Sequence, residues 1–139
     1  CKGCGMPHFQ IEYSGNLEQI VDVTALCEHI RATAIEIDTF PLAGVRVRAF
    51  RADHYSIADG DPKHGFVDIS IRLRAGRTPE VKTDATQRIF DAAQAFLAPA
   101  IASHSIALSL EMRDIDPALS PKTGSIRAHL GRPSQEVSS

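Results

Sequence analysis

From residue 8 onward, apolar and polar positions alternate. Phe9, Ile11 and Tyr13 are interleaved with His8, Gln10 and Glu12, the period of a strand with one buried face. Ser14, Gly15 and Asn16 break the pattern, and Asn16 with Gln19 three residues on reads as a helix-opening capping box. Ile20, Val23, Cys27, Ile30, Ala34 and Ile37 then recur at steps of three and four, which predicts a helix ending near Asp38. Pro41 and Gly44 turn the chain, and Val45, Val47 and Ala49 alternate with Arg46, Arg48 and Phe50 as a second strand. The order then repeats. Val67, Ile69, Ile71 and Leu73 form a strand pattern, and Thr78 is an N-cap with Pro79 at the first helical position. Ile89, Ala93, Phe96 and Ala100 mark a helix stripe in which Pro99 should kink or end the last turns. Ile106, Leu108, Leu110 and Met112 give a fourth strand, and 126–130 reads as a short edge strand.

Strand–helix–strand occurs twice, so the fold expected is α+β: two β-α-β halves forming a four-stranded sheet with two helices on one face. Strands joined by a helix should be parallel neighbours. The opposite face stays partly uncovered, which suits an oligomer. The domain is expected to span 7–130, with 1–6 a leader or removed start and 131–139 a polar tail. The whole chain of 139 residues is 43% hydrophobic, enough for one core. Its 15 basic and 17 acidic residues leave a formal charge of -2. That balance argues against nucleic acid or an anionic membrane as partner. With no apolar run of membrane-spanning length and no signal-peptide pattern, the cytoplasm is the expected compartment.

Individual side chains carry little by themselves. Cys1 and Cys4 form a C-x-x-C pair without the further ligands that zinc needs, so no metal is expected. Cys27 falls on the buried stripe of the first helix and reads as a small hydrophobe. His8 belongs to the polar set of its strand, a sheet or subunit contact. His54, His64, His104 and His129 show no ligand spacing. Arg48, Arg72 and Arg74 read as charges on a solvent face, and Asp59-Gly60-Asp61-Pro62 as a turn.

Four segments together say more. Met6-Pro7-His8-Phe9, Phe40-Pro41-Leu42-Ala43-Gly44-Val45-Arg46, Ala58-Asp59-Gly60 and Ala75-Gly76-Arg77 resemble, in order and spacing, the 5-carboxymethyl-2-hydroxymuconate isomerase family of the tautomerase superfamily. The resemblance covers nearly everything from Met6 to about Leu130. It implies a cofactor-free keto–enol isomerase, trimeric, acting on a tricarboxylate dienol in the breakdown of homoprotocatechuate. Under it, Pro7 is the proton-transferring base, and Arg46 and Arg77 are substrate clamps. Phe40 and Phe50 are candidate pocket walls, although ordinary core packing is the simpler reading of both. A proline amine suits such a step once burial or positive charge brings its pKa towards neutrality. Guanidinium groups suit carboxylates through paired hydrogen bonds. The alternatives are another unsaturated oxo acid on the same machinery, or a non-catalytic ferredoxin-like binding domain. Cys1–Gly5 precede Met6, so Pro7 is an amide unless they are removed. If the leader is not native, the expectation is a nearly inactive chain from Cys1 and an active one from Pro7; a native leader would count against the isomerase assignment.

Overall fold

The computed structural model describes residues 7–131. Its main elements are β1 (His8–Ser14), α1 (Val23–Ala34), β2 (Arg46–Ala52), β3 (His64–Arg74), α2 (Pro79–Ser103) and β4 (Ser105–Ile115). The sheet runs β2-β1-β3-β4. Each helix joins adjacent parallel strands, β1 to β2 and β3 to β4, while β1 and β3 pair antiparallel where the halves meet. This is the expected double β-α-β sheet. One sheet face supplies the core: Phe9, Ile11, Val67, Ile69, Ile71 and Leu73 are buried against Leu26, Ile30 and Ala34 of α1 and Ala85, Ile89, Ala93 and Leu97 of α2.

Where the structure departs from the pattern, long-range contacts decide. The N-cap of α1 is Asp22, whose carboxylate accepts from the Ala25 N–H at 3.0 Å. Asn16 instead sits in a 3-10 turn (Gly15–Gln19) and its amide donates to the carbonyls of His64 at 2.8 Å and Pro62 at 3.4 Å. Those acceptors lie far along the sequence, so no local pattern announces them. The helix therefore begins later than the capping box implied, and Ile20 is left 38% exposed. It also ends at Ala34, before the predicted Asp38. Pro99 does not end α2, which runs to Ser103; Leu97 and Ile101 on either side are held against the core. The 126–130 segment is no edge strand: residues Arg127–His129 form a 3-10 turn, with the His129 N–H bonding the Ile126 carbonyl at 2.8 Å. Local i→i+3 bonds have taken the groups a strand would have offered to the sheet. The C-x-x-C pair and the tail beyond Gly131 lie outside the described residues.

Candidate active site

Strand direction brings four chain segments to one end of the sheet. β1 and β2 start there, and the antiparallel β3 and its parallel neighbour β4 finish there. Pro7 is buried at this end, and its carbonyl accepts the Arg46 N–H at 3.3 Å. The Pro7–His8 step is thereby fixed beside the first residue of β2. Register places Arg46, His8, Arg72 and Arg113 in one row across the sheet. Alternation sends all four side chains away from the core.

A cavity of about 250 Å³ opens at this end, lined by His8, Arg46, Arg74, Ile115, Pro117, Ser120, Pro121 and Lys122. Among the described residues, its charged lining residues Arg46, Arg74 and Lys122 are all cationic. The terminal nitrogen Nη1 of Arg46 is out of solvent and has no hydrogen-bond partner among the described residues. A buried donor left unmatched is costly, and Arg46 is one of the residues that line the cavity. Arg48 stands 3.2 Å from Nδ1 of His8. Because a guanidinium only donates, that nitrogen is the acceptor and the ring is neutral. Burial first, then the charges of Arg72, Arg48 and Arg46, hold the His8 pKa below its ordinary 6.5. The imidazole therefore adds polarity to the wall without adding charge at neutral pH.

Arg77 is placed differently. Gly76, at φ +122°, turns the chain out of β3, and Thr78 caps α2 by accepting from the Val81 N–H at 3.2 Å. Between them, Arg77 donates to the carbonyls of Arg74 at 3.1 Å and Thr39 at 3.3 Å. It pins the β3–α2 turn to the loop that leads into β2, and it does not line the cavity. Phe40 lies in the core, edge-on to Phe9 with ring centroids 5.1 Å apart, behind the strand that carries Pro7. Phe50 pairs in register with Glu12 and is 50% exposed, towards the other end of β2. Within one chain the structure thus unites Pro7, His8 and Arg46, and leaves Phe50 remote from them. Arg74 and Lys122 were not among the sequence candidates. Arg74 had read as a surface charge, but it is partly buried, and only the crossing of the segment after β4 brings Lys122 to it.

A helix-backed sheet built from two β-α-β halves is a fold shared with solved structures of low sequence identity. A fused 4-OT symmetric trimer, 21% identical, superposes on it with a TM-score of 0.56 over 78% of this chain and 85% of that one. Closer similarity lies elsewhere. The family model of 5-carboxymethyl-2-hydroxymuconate isomerase matches residues 7–130. The 5-carboxymethyl-2-hydroxymuconate Delta-isomerase of Escherichia coli is 31% identical over 88% of this chain and 98% of its own length. A 5-carboxymethyl-2-hydroxymuconate isomerase from Deinococcus radiodurans R1, 29% identical, superposes with a TM-score of 0.84 over 92% of this chain and 96% of that chain. The chain belongs to the 5-carboxymethyl-2-hydroxymuconate isomerase family.

Proposed function

We propose that residues 7–130 form a catalytic unit that converts 5-carboxymethyl-2-hydroxymuconate, or a close dienol carboxylate, to its oxo tautomer in the cytoplasm. The observation that carries this reading is a cavity whose charged lining residues are cationic, at the end of the sheet where Pro7 is buried. In the reaction the 2-hydroxyl loses its proton and becomes a carbonyl. The two double bonds shift along the chain into one, and the carbon bearing the carboxymethyl group gains a proton. A single group that accepts and then returns a proton is sufficient, and the Pro7 nitrogen fills that role as a free secondary amine. Nearby guanidinium charge favours its neutral form. The same charge stabilises the dienolate that develops in the transition state. Arg46 takes a substrate carboxylate through its buried Nη1 edge. Arg77 holds the neighbouring turns and offers its remaining N–H groups to a second carboxylate. No cofactor enters this scheme.

A homotrimer completes the reading. The sheet face away from the helices carries Gln10, Glu12, Arg48, Phe50 and Glu111 with no layer over them among the described residues, and a second and third copy would cover it. The trimeric 4-OT structure of the same fold supports that arrangement.

The test compares a chain beginning at Pro7, verified by mass, with one beginning at Cys1, following dienol ketonisation in the ultraviolet. The Pro7 chain is expected to be active and the Cys1 chain nearly inactive; equal rates would sink the amine mechanism. In the active chain, Arg46→Ala and Arg77→Ala should each lower kcat/KM at least tenfold, or ~1.4 kcal/mol of transition-state stabilisation.

A further inference from the structure

We propose that the neutral imidazole of His8 donates its Nε2–H to the 2-oxygen of the substrate and stabilises the dienolate while Pro7 carries the proton. The inference rests on the reading of the chain as a dienol isomerase. It gives that reaction a residue that the sequence offered only as a sheet or subunit contact.

Ring chemistry fixes which nitrogen bears the hydrogen. A guanidinium donates and cannot accept, and Nη1 of Arg48 stands 3.2 Å from Nδ1 of His8. Nδ1 is therefore the acceptor, and the single ring hydrogen of the neutral imidazole sits on Nε2. Among the described residues, the contact with Arg48 is the only hydrogen bond this ring makes. The two nitrogens diverge across the ring, so Nε2–H aims away from Arg48. His8 lines the cavity of about 250 Å³ and Arg48 does not. The ring thus meets the cavity with the edge that Arg48 leaves open, and Arg48 is a positioning residue. His8 is also joined directly to Pro7, whose nitrogen is a main-chain atom at the same end of the sheet. A carrier that takes the 2-hydroxyl proton must lie beside that oxygen, which brings the oxygen within reach of the next residue.

A neutral donor suits this oxygen. The substrate carboxylates are charged throughout the reaction, and a cation such as Arg46 binds them equally before and during it. The 2-oxygen begins as a neutral hydroxyl and becomes an anion only as its proton leaves. A fixed N–H facing it gains strength in the transition state, which raises kcat rather than lowering KM. In the step, the O–H bond breaks, the proton joins the Pro7 lone pair, and the oxygen keeps the bonding electrons. The Pro7 N–H then protonates the carbon bearing the carboxymethyl group, and the oxygen becomes a carbonyl. Nε2 keeps its own hydrogen from start to finish. The positive charges of Arg72, Arg48 and Arg46 around the ring disfavour its imidazolium form.

The experiment uses chains beginning at Pro7. Two-bond nitrogen–proton NMR reads the His8 tautomer in the wild type and in Arg48→Met. Rates with 5-carboxymethyl-2-hydroxymuconate are measured for wild type, His8→Ala and His8→Gln. Calorimetry compares 2-oxoadipate with adipate, six-carbon diacids that differ only by the 2-oxygen. Wild-type His8 is expected as the Nε2–H tautomer, with the Nδ1–H form appearing in Arg48→Met. His8→Ala should lower kcat at least tenfold with KM changed less than threefold, and the amide N–H of His8→Gln should restore at least threefold of that loss. Wild type should bind 2-oxoadipate at least threefold more tightly than adipate, and His8→Ala should abolish that preference. A folded His8→Ala chain with kcat within twofold of wild type overturns the assignment. An Nδ1–H tautomer in the wild type does so too, even if His8→Ala folds poorly. A His8-dependent preference for 2-oxoadipate in a chain that ketonises no dienol would support the donor and reject the isomerase reading alone. Equal binding of the two diacids by such a chain would reject the donor as well.

Discussion

At the scale of single residues, the cavity is governed by how three arginines treat His8. An imidazole surrounded by Arg46, Arg48 and Arg72 gains nothing from a proton, and partial burial adds to the penalty. The consequence for stability has a definite sign. The unfolded chain takes up a proton on this ring near pH 6.5, while the folded chain resists it until the pH is lower. The His8 contribution is therefore fully present above about pH 6.5 and is lost as the pH falls through the folded value. His8 is expected to titrate below 6.5 by ring-proton NMR, and Arg48→Met should move it back towards 6.5. Wild-type Tm should fall more than that of His8→Gln between pH 7.5 and 5.5. A His8 resonance titrating above 6.5 would contradict the arrangement. A different histidine behaves structurally. His64 bridges Asp59 at 2.8 Å and Ser105 at 2.7 Å, which fastens the 59–64 turn to the start of β4, at the end of the sheet away from Pro7.

At the scale of elements, the connection from β1 to α1 shows what orders the first half. Asn16 reaches His64 and Pro62, and Ser14 accepts from the Phe66 N–H at 2.9 Å. The turn is thus stitched to the start of β3 before the helix begins. Gly65 permits this approach: a Cβ there would lie 2.9 Å from Leu17 and 3.0 Å from the Ser14 hydroxyl. Asp22→Ala should therefore cost about 1 kcal/mol by loss of the true N-cap, read from urea unfolding. Gly65→Ala should also destabilise, because Leu17 and Ser14 are both buried and have little room to give. If Asp22→Ala left the unfolding midpoint unchanged, the assigned cap would be wrong.

At the scale of the molecule, each β-α-β half buries its core on one side of the sheet and, among the described residues, leaves much of the other side uncovered. That open face is polarised: Arg46, His8, Arg72 and Arg113 cross it in one row, and Phe50, Glu12, Asp68 and Ser109 in another. Copies arranged so that opposite charges meet would cover Phe50, whose ring is half exposed in a single chain. Sedimentation equilibrium is expected to give the mass of three chains, and Phe50→Asp to shift the population towards smaller species. A wild-type chain that stays monomeric at high micromolar concentration would rule out the trimer.

The sequence by itself determined the two halves, the helix stripes, the buried strand faces and the family, because periods of two and about 3.6 are imposed locally by backbone geometry. It also singled out Pro7 and Arg46, through segments whose order and spacing resemble that family. Only the tertiary structure decided that Asn16 is a cross-link and Asp22 the cap, that Arg77 pins two turns, and that Phe40 belongs to the core. It alone brought Arg74 and Lys122 into one cavity with Arg46. Those outcomes depend on which strands lie side by side and where the chain crosses after β4. Hydrogen bonds and charges act through space, so residues distant in sequence become partners only once the sheet is assembled.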